Sequence, residues 1–394
     1  MRRLFAFLLL LTLLIPAAAL GEGGDVFRNN LIPVPSDITP AYRSENHPEH
    51  ENCYWCTPMD ITDEAAVWAM LTAPITVVDI DMMKQTVIYA EPDDKSEQIG
   101  VVTGQSQALH VLEKLDNGWT KVETYSTSFF DSAVKNYNAF VTGYIQSNKL
   151  KTVTPNQNYG IVVDKLTQRL YLFVNGHIET SLAVSTGLYN SKQPWNETRS
   201  GEFLIIYTQT GALVDGRTHS DYALRFNQAD YLHQVCYDKR GDTTDFTPYE
   251  PKLGQRASHG CIRVQRVQNA EGYTMEKLAT LIKQRNDKNC VKLVAWEDYE
   301  GRQVQTPSDD ALLYYNPKGG EYYHSCSGHT GNIKKSLWPL PSFTYGELDE
   351  APYSKLKPCP YCHPLPRKTE LEEINKIHLE SSPGEVMSYH NGSK

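Results

Sequence analysis

Cysteine is scarce in this 394-residue chain: its 8 cysteines are about 2% of the residues, too few for a disulfide scaffold, so each is judged by its neighbours. An excess of cationic residues is also lacking. Lys and Arg number 38 against 47 Asp and Glu, a net charge of −9, which leaves no broad basic surface for nucleic acid or anionic lipid. A nucleic-acid partner is not expected. Long apolar runs are missing too. The run from Leu4 to Ile15 covers about 12 residues, short of the roughly 20 that a spanning helix needs, and no later stretch approaches it. No internal repeat is visible. What is present is ordinary globular usage, with 40% hydrophobic, 10% aromatic and 22% charged residues, so sizeable cores can form and wholesale disorder is excluded. At roughly 100 to 200 residues per domain, the length predicts two to four domains.

The first twenty residues read as a secretory signal peptide: Arg2-Arg3, the apolar run, Pro16, then Ala17-Ala18-Ala19. Cleavage near Ala19 is expected, giving a secreted protein with no spanning segment. The alternative is an uncleaved anchor. Lipoprotein attachment is unsupported because no Cys follows the run. Arg2-Arg3 fits a twin-arginine signal, but an ordinary charged n-region explains it equally well. Residues 21 to 73 read as a leader or linker containing Cys53-Tyr54-Trp55-Cys56, with no fold assigned to residues 21 to 51. The fold class expected for the rest is mainly β. Residues 74–154 carry short alternating runs such as Gln98-Ile99-Gly100-Val101-Val102, which predict a small barrel. Residues 155–297 form a second β-rich domain, with a hairpin turn at Asn175-Gly176 and a helix from about Asn269 to Asn286. Residues 298–366 are a small Cys/His module, and 367–394 are a charged tail read as a partly ordered helix.

The most informative stretch is Ala257-Ser258-His259-Gly260-Cys261-Ile262-Arg263-Val264. Thiolate is the reactive form of Cys, and an imidazole nearby lowers a thiol's pKa. Gly260 lets backbone N–H groups approach a developing oxyanion. Upstream, Tyr231-Leu232-His233-Gln234 supplies an imidazole that can meet Cys261 in space, which points to covalent acyl transfer; a buried structural thiol is the competing reading. The Ser-His-Gly-Cys-Ile-Arg block, preceded by a His, by Ser185-Thr186-Gly187 and by Gly201-Glu202-Phe203, resembles the catalytic domain of bacterial L,D-transpeptidases, cysteine enzymes that cross-link peptidoglycan.

The resemblance covers about residues 158 to 296. It implies Cys261 as nucleophile, His233 as its base, His259 in support, and oxyanion donors near Gly260 and Cys261. Arg263, Ser258 and Gln234 are expected on the substrate side. It also implies peptidoglycan stem peptides as partners, a cell-wall location and no catalytic cofactor. Two departures stand out: Thr198-Arg199-Ser200-Gly201 where members usually have Thr-Pro-x-Gly, and an insert from Tyr237 to Ala257 that reads as a lid. Tyr89-Ala90-Glu91-Pro92, the run from Asp116 to Val122, and Gly143-Tyr144-Ile145 resemble bacterial SH3 domains of wall enzymes, with Thr124 to Thr142 inserted. Two other outcomes stay open: an L,D-carboxypeptidase or hydrolase using the same cysteine, and a non-catalytic wall-binding protein.

A second cluster follows. Cys359-Pro360-Tyr361-Cys362 has zinc-ribbon spacing, because two thiolates on one tight turn can occupy adjacent corners of a tetrahedron. His324, Cys326 and His329 compete for the two remaining places of a structural zinc site; a Cys359–Cys362 disulfide is the alternative. Residues 312 to 363 resemble small C-terminal modules of other exported bacterial proteins. Cys53 and Cys56, with His47 and His50 nearby, could join that site as an all-thiolate set, form a local disulfide or make a separate site. A thioredoxin-like role lacks its βαβ context. Cys236 and Cys290 are expected to be buried small hydrophobes.

Overall fold

The computed structural model describes residues 61–269, 271–283, 290–296, 304, 306–329 and 333–381. The segment expected to be a signal peptide and the Cys53/Cys56 pair with His47 and His50 lie outside the described residues. The fold is mainly β, with three α-helices among the described residues: Glu64–Thr72, Met275–Leu281 and Lys368–Ser381.

The alternating runs after residue 74 make a seven-stranded antiparallel sheet. Its order is Gln98–Thr103, Gln85–Tyr89, Tyr137–Gln146, Trp119–Thr127, Ala108–Lys114, Ile75–Val78, Leu150–Val153. Val78, Ile88, Val102, Leu109, Val122, Val141 and Ile145 fill its core. The stretch expected as an insertion holds the ends of a long hairpin, with Tyr125 paired to Phe140.

A nine-stranded sheet follows, in the order Gly201–Leu204, Lys292–Trp296, Tyr159–Asp164, Arg169–Val174, His177–Ser185, Ile262–Val264, Tyr231–Gln234, Leu224–Arg225, Tyr207–Thr208. Strand alternation sends Ile161, Val163, Leu170 and Leu172 into one core, where they meet Met275 and Leu278 of the second helix. Their neighbours Val162, Tyr171 and Phe173 enter the opposite core. There they pack against Val67 and Leu71 of the first helix and against Tyr125 and Phe140 of the seven-stranded sheet. Both faces of this sheet are therefore covered.

Three expectations change. Part of the presumed linker is the helix Glu64–Thr72, capped by the Asp63 carboxylate, which accepts the Ala66 N–H at 3.0 Å. The second helix starts at Met275 rather than Asn269: Thr274 caps it by accepting the Lys277 N–H at 3.1 Å, and Gly272 sits at φ +81° just upstream. The insert read as a lid is ordered sheet. Its strands Tyr237–Arg240 and Thr243–Asp245 join Leu213–Asp215 and Thr218–Ser220 in a four-stranded antiparallel sheet. The C-terminal module has its own four-stranded sheet, in the order Ser342–Thr344, Leu312–Tyr315, Tyr322–His324, Lys357–Pro358. No helix among the described residues is long and apolar enough to cross a membrane.

Candidate active site

Two short parallel strands bring His233 and Cys261 onto one surface. Leu232 lies opposite Ile262, His233 opposite Arg263 and Gln234 opposite Val264. Leu232, Ile262 and Val264 point into the core, so alternation turns His233 and Arg263 to the other face. Cys261, one residue ahead of its strand and two before Arg263, shares that face. Groups 28 positions apart in the chain thus come within one strand pair of each other.

The loop before Cys261 is held from two directions. Ala257 and Ser258 both donate backbone N–H to the Thr186 carbonyl, at 2.8 and 2.9 Å. Thr198 Oγ1 donates to the Gly260 carbonyl at 2.7 Å and accepts the Gly187 N–H at 2.7 Å. Two glycines make this approach sterically possible. A Cβ on Gly187 would lie 2.0 Å from the Asn196 carbonyl oxygen; one on Gly260, at φ +125°, would lie 2.5 Å from Asp230 Oδ1.

His233 is 3% exposed, and its Nδ1 lies 2.6 Å from the Gln234 carbonyl. A carbonyl only accepts, so Nδ1 carries the proton and Nε2 keeps its lone pair. Burial, with Arg263 adding to it and the Gln234 carbonyl opposing, lowers the imidazole to about 4. It is neutral at physiological pH. Cys261 is partly exposed, with Sγ 3.9 Å from the Ala229 carbonyl. Burial first, then the Asp230 carboxylate, push the thiol up to about 12, outweighing the Tyr231 N–H and Arg263. An imidazole without charge gives a thiolate no Coulombic help, and the nearby carboxylate opposes ionisation. The sulfur rests as a thiol and needs a base.

Asp230 belongs to a buried charge cluster that sequence reasoning missed. Arg199, 1% exposed, lies 3.4 Å from Asp230, donates to the Ser128 carbonyl at 2.8 Å and covers the Phe129 ring at 3.9 Å. Lys165 donates to Glu197 at 2.8 Å, to the Thr198 carbonyl at 2.7 Å and to Ser200 Oγ at 3.1 Å. The only sequence signal was Arg199 itself, standing where family members usually carry Pro. That departure puts a guanidinium beneath the nucleophile loop and ties it to the first sheet.

The other expected residues fall as follows. His259 is exposed on the rim of the loop. The Gly260 N–H donates to Ser258 Oγ at 3.3 Å, and Ser258 Oγ donates to the Cys261 carbonyl, so both serve the loop's own shape. Gln234 acts on His233 through its backbone carbonyl. Arg263 donates to the Ala257 carbonyl at 3.2 Å and lies 5.5 Å from the Tyr249 ring of the insert. Cys236 and Cys290 are buried. The candidate metal ligands lie in the C-terminal module. There His324, His329, Cys359 and Cys362 bring their donor atoms within 4.8 Å of one another. Cys326 is not one of those four, yet it packs against Cys359 and Cys362, and its thiol lies 3.4 Å from the Gly328 carbonyl.

Residues 158–280 match the YkuD family model, the L,D-transpeptidase catalytic domain. The domain that holds this site is similar to L,D-transpeptidase catalytic domains. Among solved structures, an Enterococcus faecium L,D-transpeptidase is similar at 14% identity and TM-score 0.24, over 36% of this chain and 50% of that one. The catalytic domain of an E. faecium L,D-transpeptidase is similar at 15% identity and TM-score 0.25, over 35% of this chain and 97% of that one. An L,D-transpeptidase from Mycobacterium tuberculosis H37Rv is similar at 14% identity and TM-score 0.27, over 54% of this chain and 93% of that one. No curated protein sequence matches. The match thus spans half the length of the first of these relatives.

Proposed function

We propose that the protein is an exported peptidoglycan L,D-transpeptidase that works through a thioester on Cys261. One observation carries the reading: His233 is neutral, its Nδ1–H is fixed on the Gln234 carbonyl, and its free Nε2 belongs to the sheet face that also holds Cys261. That is the state a general base requires when the nucleophile rests protonated. His233 takes the thiol proton as sulfur attacks the amide carbonyl after the third residue of a tetrapeptide stem. The C–N bond then breaks, the imidazolium protonates the departing D-Ala amine, and the stem is left as a thioester. An amine of a second stem attacks next. Its proton passes through His233 to the leaving sulfur, and the cross-link forms. Partial exposure of Cys261 leaves room for the stem, while Thr198, Thr186 and Gly260 hold the loop in place. The seven-stranded sheet is read as an SH3-like unit that docks on the wall.

Defined tetrapeptide muropeptides test this. Wild type should produce dimers with loss of D-Ala, and Cys261→Ala should produce neither dimer nor trimmed monomer. Trimmed monomers alone from wild type would assign an L,D-carboxypeptidase; identical products from wild type and Cys261→Ala would defeat the enzyme reading. Exposure to a carbapenem should raise the intact mass of wild type and leave that of Cys261→Ala unchanged.

A further inference from the structure

The C-terminal module contains a group of side chains that the acyl-transfer chemistry does not use. Strand Tyr322–His324 pairs in parallel with Lys357–Pro358, and this ladder brings His324 to the start of the Cys359-Pro360-Tyr361-Cys362 turn. His329 returns over the same spot, its ring stacked on Tyr361 at 5.7 Å between centroids. Four donor atoms converge. His329 Nε2 lies 3.3 Å from His324 Nδ1 and 3.4 Å from Cys359 Sγ, and Cys362 Sγ lies 3.8 Å from His324 Nδ1. A tetrahedron with Zn–N of ~2.0 to 2.1 Å and Zn–S of ~2.3 Å has edges of ~3.3 Å between nitrogens, ~3.6 Å between nitrogen and sulfur and ~3.8 Å between sulfurs. These three contacts match the corresponding edges to within about 0.2 Å, and all four donor atoms lie within 4.8 Å of one another.

A second observation is independent of those distances. Each cysteine sulfur accepts a backbone N–H: Cys362 Sγ from Ser325 at 3.3 Å, and Cys359 Sγ from Tyr361 at 3.4 Å. Amide donors aimed at both sulfurs are the outer-shell support that metal-bound thiolates require. All four ligands are buried, so the site is closed, as structural zinc sites are. No disulfide joins Cys326, Cys359 or Cys362 in the structure.

We propose that His324, His329, Cys359 and Cys362 bind one zinc ion in a structural tetrahedral site, with Cys326 outside the ligand set. The two-His, two-Cys donor set suits zinc. The module has reason to need it. Its own apolar cluster is built on Leu313, Tyr323, Phe343, Tyr345 and Leu348, a small core for a segment of this length, and such modules depend on a staple. The ion would also fix the turn whose next residue, His363, accepts Arg169 Nη2 at 3.0 Å and so seats the module on the catalytic sheet.

Metal analysis of the full chain, purified untagged and without chelator, tests the proposal. His329→Ala and Cys359→Ser should each carry about one zinc per chain less than wild type, while Cys326→Ser should match wild type. Cobalt exchanged into wild type keeps the test open where a variant fails to fold: the expected spectrum is the intense visible band of tetrahedral cobalt with thiolate charge transfer. Unchanged zinc in His329→Ala and Cys359→Ser, zinc lost from Cys326→Ser alone, or a Cys359–Cys362 disulfide in the unreduced digest of wild type would each overturn it.

Discussion

At the scale of single residues, the proposed site pairs a neutral imidazole with a protonated thiol. This fixes its pH behaviour. Attack needs Nε2 of His233 unprotonated, and burial holds that imidazole at about 4, against an ordinary value of ~6.5. The rate of Cys261 acylation should therefore keep its plateau as pH falls through 6 and decline only towards about pH 4. An acid limb near the ordinary imidazole value in a stopped-flow pH profile would refute the burial argument. The thiol is held up by Asp230 as well as by burial, so Asp230→Asn removes a charge that disfavours the thiolate. Its alkylation midpoint at Cys261, read by peptide mass mapping across pH, should move below that of wild type. A midpoint that stays in place would show that burial alone sets the thiol.

At the scale of elements, the decisive contacts tie strand Gly201–Leu204 to its neighbours. Glu202 is buried between Lys292 on the adjacent strand and His110 of the first sheet, whose Nε2 lies 2.9 Å away. Burial alone would raise its carboxyl, yet Lys292 and His110 together bring it down to about 2. A depressed carboxyl stabilises the fold above its unfolded value of 4.5, and that contribution is lost as pH falls from there toward about 2. Glu202→Gln leaves Lys292 buried without its counter-charge and should cost about 3 to 5 kcal/mol in urea unfolding at neutral pH. The variant should also lose less stability than wild type between pH 4.5 and 2. This strand was visible in the sequence as Gly201-Glu202-Phe203; its ion triad was not, because Glu202, Lys292 and His110 come from three distant segments. Likewise, the second helix looked longer in the sequence because apolar spacing marks a buried face and says little about where Thr274 caps it.

At the scale of the molecule, the first two β units share their cores. Tyr125 and Phe140 pack with Phe173, Val294 and Trp296, and Ile75 and Val77 pack with Leu204 and Ile206. Arg199 adds a polar tie through the Ser128 carbonyl. A fragment of residues 155–297 expressed alone would expose these faces and the Arg199 and Glu202 charges to altered surroundings. It should lack a cooperative thermal transition in near-ultraviolet circular dichroism, whereas the chain from residue 61 onward should show one. A cooperative fragment would mean that the shared cores are dispensable.

The sequence by itself determined the chemistry on offer: a Cys after His-Gly, an upstream His, a β-rich frame and a Cys-x-x-Cys knuckle. Local patterns carry such information, since alternation, turn dipeptides and short motifs depend on near neighbours. Only the tertiary structure decided that burial and Asp230 push the Cys261 thiol up, that Arg199 and Asp230 lie beneath it, and that the donor atoms of His324 and His329 gather with those of Cys359 and Cys362. Those outcomes depend on burial and on charges brought together from remote segments, and burial is a property of the packed chain.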